Sequence, residues 1–228
     1  MNISGLVKSS LIDYSGMISC VLFVPGCNYN CFYCHNRSLI DGSHIILTPQ
    51  YVADFLQRRA GLLDGAVISG GEPTLQNGLI PFLQMVKGFG YKIKLDTNGS
   101  RPAIVRQILE QKLCDYIAVD YKAPAEQYPA ICGQGADAGR VQETIRLLAD
   151  SGVPFEVRTT VFPQLGIDEL SVMAKEIPEV PRYVLNRYKV PEKYLSRDAE
   201  RIMERPYTHD EIQLFAKAVA PWQPNIVV

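Results

Sequence analysis

Six times along this chain a short apolar run gives way at once to a polar or glycine-rich motif, and helix-spaced apolar residues follow in most cases. The runs are Ile18 to Val24, Gly65 to Ser69, Tyr91 to Leu95, Tyr116 to Val119, Phe155 to Phe162 and Tyr183 to Tyr188. Their length and β-branched content predict strands. The segments between them predict helices. Thr48-Pro49 opens one, with a hydroxyl cap and Pro at the first helical position, and Val52, Phe55 and Leu56 share its inner face. Others cover Leu79 to Val86, Pro102 to Gln111, Val141 to Leu148 and Ile167 to Glu176. The last runs from Thr208 to Val219, where Thr208 and Glu211 form a capping box. Alternating strands and helices demand parallel strands with right-handed crossovers. Six units are too few for a closed eight-stranded barrel. The expected fold is therefore α/β, an incomplete (βα)6 barrel with parallel strands, as a single domain over 1–228. The lead Gly5 to Gly16 reads as extended or turn-like, Gly133 to Gly139 as a small-residue loop, and Pro191 to Arg205 as a polar stretch.

Parallel folds bind their ligands at the C-terminal ends of the strands, and there this chain concentrates its chemistry. After the first predicted strand come Cys27, Cys31 and Cys34, spaced C-x3-C-x2-C. Three thiolates on one tight loop can grip three corners of a [4Fe–4S] cube, which usually takes four ligands. The fourth iron then keeps an open position, where a metal does chemistry rather than hold a fold. Other readings stand beside this one. Cys31, Cys34 and His35 spell the C-x-x-C-H haem signal, which leaves Cys27 idle and needs export. Zinc could take the three cysteines with His35 or His44, although His35 directly follows Cys34. A redox pair at Cys31 and Cys34 again gives Cys27 no role. Of the remaining cysteines, Cys20 and Cys114 lie in or beside apolar runs and read as core thiols, whereas Cys132 lies in a glycine-rich loop, where it could be exposed, and is assigned no role.

The 228 residues suffice for one substantial core; 47% are hydrophobic and 21% charged, an ordinary globular balance. The net charge of −1, with no long basic run, argues against nucleic acid as a main partner. No leader pattern or apolar stretch of membrane-spanning length is visible, which points to a cytoplasmic protein without a membrane partner. Cysteines in a reducing compartment argue against a disulfide framework.

The cysteine spacing with Tyr33 before the third cysteine, followed by Gly70-Gly71-Glu72-Pro73 after the second strand, resembles the radical S-adenosylmethionine superfamily. That resemblance implies a [4Fe–4S] cluster on Cys27, Cys31 and Cys34 whose open iron chelates S-adenosylmethionine. One electron would then cleave the cofactor to methionine and a 5′-deoxyadenosyl radical. It also implies cofactor contacts from Tyr33, the backbone of His35, Gly70, Gly71 and Glu72. A narrower likeness is to glycyl-radical-enzyme activating enzymes. It rests on Cys34-His35-Asn36, on the lead Ser10 to Gly16, on Asp96-Thr97-Asn98-Gly99 and on Asp120-Tyr121-Lys122. It implies that Asp96, Thr97, Asn98, Asp120 and Lys122 line the cofactor pocket, and that Asp96, Thr97 and Asp120 could hold a monovalent cation. Alternation along Phe155 to Phe162 points Arg158 at the same pocket, with a surface ion pair as the other reading. The implied partners are a glycyl-radical enzyme as protein substrate and a flavodoxin- or ferredoxin-type electron donor. Thirteen residues separate Cys34 from Thr48, too few for an inserted ferredoxin-like domain. The pattern therefore looks most like the compact anaerobic ribonucleoside-triphosphate reductase activating proteins. A small-molecule enzyme resembling 7-carboxy-7-deazaguanine synthase is the alternative. Two positions depart from the family pattern: Ser15 stands where Pro is usual, and Asn186-Arg187-Tyr188 where one branch has a cofactor-binding His.

Overall fold

The structure is a computed structural model describing residues 1–228. Its strands are β1 (Gly5–Ser10), β2 (Ser19–Val24), β3 (Gly65–Gly70), β4 (Lys92–Thr97), β5 (Tyr116–Asp120), β6 (Phe155–Val161), β7 (Tyr183–Arg187) and β8 (Ile226–Val227). They follow one another in chain order across an eight-stranded sheet. β1 is antiparallel to β2, while β2–β3, β3–β4, β6–β7 and β7–β8 pair parallel. The helices are α1 (Arg37–Ile40), α2 (Pro49–Arg59), α3 (Leu79–Gly88), α4 (Pro102–Glu110), α5 (Tyr128–Cys132), α6 (Ala138–Ala149), α7 (Ile167–Glu176), α8 (Ala199–Ile202) and α9 (His209–Val219). No helix is long and apolar enough to cross a membrane.

The fold is mixed α/β and mostly parallel, and all six predicted strands are present. Two strands were not foreseen. β1 occupies part of the lead read as extended or turn-like, and three of its six residues, Val7, Lys8 and Ser9, are exposed, so it carries no buried alternation. β8 has only two residues. The polar stretch contains a short 3-10 turn at Ser196–Asp198 and then α8.

The packing falls into two units. The first comprises Met1–Asn28, Ser38–Thr97 and Ala103–Ala118. Both faces of its central strands are buried: Cys20, Leu22, Ala66, Ile68, Ile93 and Leu95 on one, Val21, Val67 and Lys94 on the other, as parallel strands require. Tyr14, Val21 and Val67 pack with Met17, Phe23 and Tyr116. Thr48 Oγ1 accepts from Tyr51 N at 3.2 Å, which fixes the start of α2.

The second unit comprises Tyr29–Arg37, Asn98–Pro102 and Val119–Val228. β6 alternates strictly, with Phe155, Val157, Thr159 and Val161 buried and Arg158 on the opposite face. The ring of Tyr33 stacks on Phe162 at 4.9 Å, and Phe32 meets Phe162 edge-on at 5.3 Å. Arg201 lies over Phe32 with its guanidinium 3.9 Å from the ring centre, tied to the buried Asp198 at 2.6 Å. The capping box opening α9 forms as expected, with Thr208 N donating to Glu211 at 2.7 Å and Glu211 N to Thr208 Oγ1 at 3.2 Å.

Candidate active site

Cys27 follows β2 through Pro25 and Gly26, in the first unit. Gly26 N donates to Leu39 O, and Glu72 N donates to Gly26 O, both at 2.8 Å. Gly71 N donates to Val24 O, also at 2.8 Å. The loop after β3 is thus laced to the loop after β2. Glycine is needed here because a Cβ on Gly71 would stand 2.0 Å from Gly26 O, and one on Gly70 2.4 Å from Val24 N, with φ at +119°. The close approach that these glycines permit is to the chain's own backbone. Glu72 is fully buried; its Oε1 accepts from Thr74 N at 2.9 Å, Thr74 Oγ1 at 2.6 Å and Thr97 Oγ1 at 2.7 Å. Asp96 lies 3.7 Å from Lys94, a buried lysine that also donates to Asp13 O at 2.7 Å.

The second unit carries Cys31, Tyr33, Cys34, His35, Asn98, Asp120, Lys122 and Arg158. Cys34 N closes a tight turn onto Cys31 O at 3.2 Å. Asn30 N donates to Cys132 O at 2.7 Å, so the cysteine loop is pinned to α5. Cys132 is not exposed in a loop, as its glycine neighbours allowed. It ends α5 and is 1% exposed. Its side chain is hydrogen-bonded to Cys31 and pulls that thiol below the ordinary range; burial opposes the shift and Lys122 reinforces it. Cys34 moves the other way, raised by burial first and then by Cys31. His35 is lowered by burial and by Lys189. Cys20 and Cys114 are buried as expected, and burial pushes both thiols up, Cys20 to about 11. Asn98 is buried, and its Oδ1 accepts from Ser100 N at 3.0 Å.

Asp120, Lys122 and Arg158 form one charged group. Lys122 Nζ lies 3.1 Å from Asp120 Oδ2, and Arg158 Nε and Nη2 each lie 3.0 Å from Oδ1. Burial alone would raise the Asp120 carboxyl, but Lys122 and Arg158 outweigh it and hold it at about 2. The folded value is depressed, so this pairing stabilises the protein fully above roughly pH 4 and is lost as pH falls toward about 2. With the side chain 34% exposed, screening leaves about 1 kcal/mol. Urea unfolding should therefore show wild type losing about 1 kcal/mol more than Asp120→Asn between roughly pH 5 and pH 2.5. Equal losses would show that the pair contributes nothing.

One residue of this region escaped the sequence reading. Arg37, at the start of α1, is 6% exposed; its Nη2 donates to Cys31 O at 2.8 Å and its Nη1 to Asn30 Oδ1. No local pattern marks an arginine after a cysteine loop as buried. No three His, Cys, Asp or Glu side chains converge as a ready site for a single metal ion; an iron–sulfur cube instead takes one thiolate per iron.

The family profile described as the Radical SAM superfamily matches residues 21–177. The chain belongs to the radical SAM superfamily. Among curated relatives, a protein of Methanocaldococcus jannaschii provisionally named a glycyl-radical enzyme activating enzyme is 29% identical over 235 residues, 99% of this chain and 95% of that one. A 7-carboxy-7-deazaguanine synthase of Thermococcus kodakarensis is 25% identical over 209 residues, 79% of this chain and 80% of that one. Among solved structures, SuiB of Streptococcus suis bound to S-adenosylmethionine superposes with TM-score 0.66 at 14% identity, covering 89% of this chain and 48% of that one. A domain of a pyruvate-formate lyase-activating enzyme from Bacteroides vulgatus gives TM-score 0.54 at 17% identity, covering 69% of this chain and 94% of that one. These likenesses show the fold.

This chain is a radical SAM enzyme, and its family implies a [4Fe–4S] cluster and S-adenosylmethionine. The residues present fit such a cluster. All six cysteines are free of disulfides, one loop thiol is biased toward its thiolate, and the buried Arg37 guanidinium meets only neutral oxygens and leaves its Nε–H without an acceptor.

Proposed function

We propose that this radical SAM enzyme is the activating enzyme of a glycyl-radical enzyme, with an anaerobic ribonucleoside-triphosphate reductase as its protein substrate. The observation that carries the activating-enzyme part of this reading is the match along 99% of the chain to the provisionally named activating enzyme of M. jannaschii; the reductase as partner rests on the likeness of the sequence motifs. The short path from Cys34 to Thr48, which holds only α1, supports the compact type of activase. In this reading Cys27, Cys31 and Cys34 hold the cluster. When bound and reduced by a flavodoxin- or ferredoxin-type donor, the cluster with S-adenosylmethionine supplies a carbon radical able to take hydrogen from a glycine.

The chain's own residues bind and orient. Gly70 and Gly71 let the loop after β3 lie against the end of β2, and this fixes Glu72. The two threonine hydroxyls and the Thr74 amide fix the orientation of the buried Glu72 carboxyl, the group that would meet the cofactor's amino group. Phe162 and Phe32 hold Tyr33 rigid, and with it the backbone of His35. Asp120, Lys122, Arg158 and Asn98 supply charged and polar groups for the rest of the cofactor. A monovalent cation at Asp96, Thr97 and Asp120 would compete with Lys94 for Asp96, and with Lys122 and Arg158 for Asp120.

The 25% identity to a 7-carboxy-7-deazaguanine synthase favours a second reading, a small-molecule substrate. One experiment separates the two. Reduced enzyme and S-adenosylmethionine are mixed with an anaerobic ribonucleotide reductase, and the electron paramagnetic resonance spectrum is recorded. A glycine-centred doublet is expected, and it should vanish when the partner's radical glycine is changed to Ala. Turnover of a purine or pterin with no such doublet would establish the second reading instead.

A further inference from the structure

Arg37 is a buried cation whose partners are the Asn30 side-chain oxygen and the Cys31 carbonyl, both neutral, and its Nε–H is sealed from water with no acceptor. It is 6% exposed. A guanidinium in that position without a carboxylate is costly to bury unless some other negative charge balances it. Nothing in the protein supplies that charge, and the loop it grips carries Cys31 and Cys34. The guanidinium is anchored through two donors on one short turn, so its distance from the cysteine backbone is set by hydrogen bonds rather than by a flexible stem. Asn30, its second anchor, is itself fixed by its N–H to Cys132 O at 2.7 Å, and Gly133 approaches within 3.2 Å of the Asn30 Cβ.

We infer that Arg37 is the counter-charge of the iron–sulfur loop, a positioning residue that holds Cys31 and favours the reduced state of the cluster. The inference rests on the cluster reading of the three cysteines. Three thiolates outweigh the positive charge of a resting four-iron core, and reduction adds one electron more. A fixed positive charge beside the loop therefore stabilises the reduced form over the oxidised one, and net charge near a cluster is a main determinant of its potential. Removing the charge should make the cluster harder to reduce without changing which residues ligate it.

The test is a redox titration of the anaerobically loaded protein, followed by electron paramagnetic resonance, on wild type, Arg37→Gln and Arg37→Lys. Iron is counted first. Wild type without iron overturns the cluster reading itself, independently of Arg37. With iron present, Arg37→Gln should lower the one-electron reduction equilibrium about tenfold, a shift of about 59 mV to more negative potential. Arg37→Lys, which keeps the charge but not the fork, should stay near wild type. A purely structural role would lower iron content in both variants and leave the potential of the loaded fraction in place. An unchanged potential in Arg37→Gln, or an equal shift in both variants, overturns the inference. Should Arg37→Gln not retain iron, Arg37→Lys decides. A loaded cluster at the wild-type potential supports the counter-charge, and loss of iron there too overturns it.

Discussion

Changing Cys31 to Ala should reduce bound iron from about four per chain, the content of one cube, to near none, and abolish reductive cleavage of S-adenosylmethionine. Cys31 is buried, its carbonyl is clamped by Arg37, and its thiol lies below the ordinary range because of Cys132. A lowered thiol favours the thiolate, the form that binds metal, while the Arg37 clamp on the backbone holds the residue in place. Cys27→Ala and Cys34→Ala should have the same effect, since in the proposed reading each removes one of three ligands. Two controls sharpen the result. Cys114→Ala removes a core thiol that burial pushes up, and iron content should stay at the wild-type level. Cys132→Ala removes the neighbour of Cys31 and should also keep iron. Iron retained in Cys31→Ala but lost in Cys132→Ala would move the ligand assignment to α5. The readouts are iron and sulfide content and the visible absorption of the cluster.

Gly71→Ala should be the most destabilising single methyl in the chain. The added carbon would stand 2.0 Å from Gly26 O and 2.7 Å from its carbonyl carbon. These are backbone atoms and cannot swing aside as a side chain would. Overpacking alone costs about 1–3 kcal/mol. Here relief means parting two loops joined by Gly71 N to Val24 O and Glu72 N to Gly26 O, at about 1 kcal/mol for each hydrogen bond lost. A total of about 3–5 kcal/mol follows, to be read as a lowered urea midpoint with little change in slope. Gly88→Ala is the comparison, because nothing lies within 4 Å of its added Cβ and it ends a helix. Equal midpoints for the two variants would show that the loops separate freely.

The strands and helix starts were legible because they rest on local chemistry. The runs of Val, Ile and Leu at 18–24 and 65–69 form strands wherever they are packed, and Thr48, Thr208 and Glu211 cap helices through contacts only three residues apart. The family membership was legible for a similar reason, since three cysteines and a Gly-Gly-Glu-Pro motif are short in sequence. What depends on distant partners was not. β1 is a strand because β2 lies beside it, and its own exposed residues carry no signal. Cys132 could have been exposed, because glycines follow it. Tyr128 buries the segment from the other side, its hydroxyl accepting from Lys122 N at 3.0 Å. Arg37 resembled any surface arginine, and its burial depends on the fold of a loop that sequence spacing does not describe.

The stacking of Arg201 on Phe32 has a consequence for how the protein is made. Phe32 lies inside the cysteine loop, and its cover, Phe162 and Arg201, is encoded far downstream. At a synthesis rate of about 5–20 residues per second, the loop leaves the ribosome roughly ten to thirty seconds before Arg201 does. During that interval the thiols and the Phe32 ring lack their final packing. Thiol oxidation, mistaken metal capture and chaperone contact therefore have their widest opportunity on the nascent chain, and the finished carboxy-terminal segment closes it.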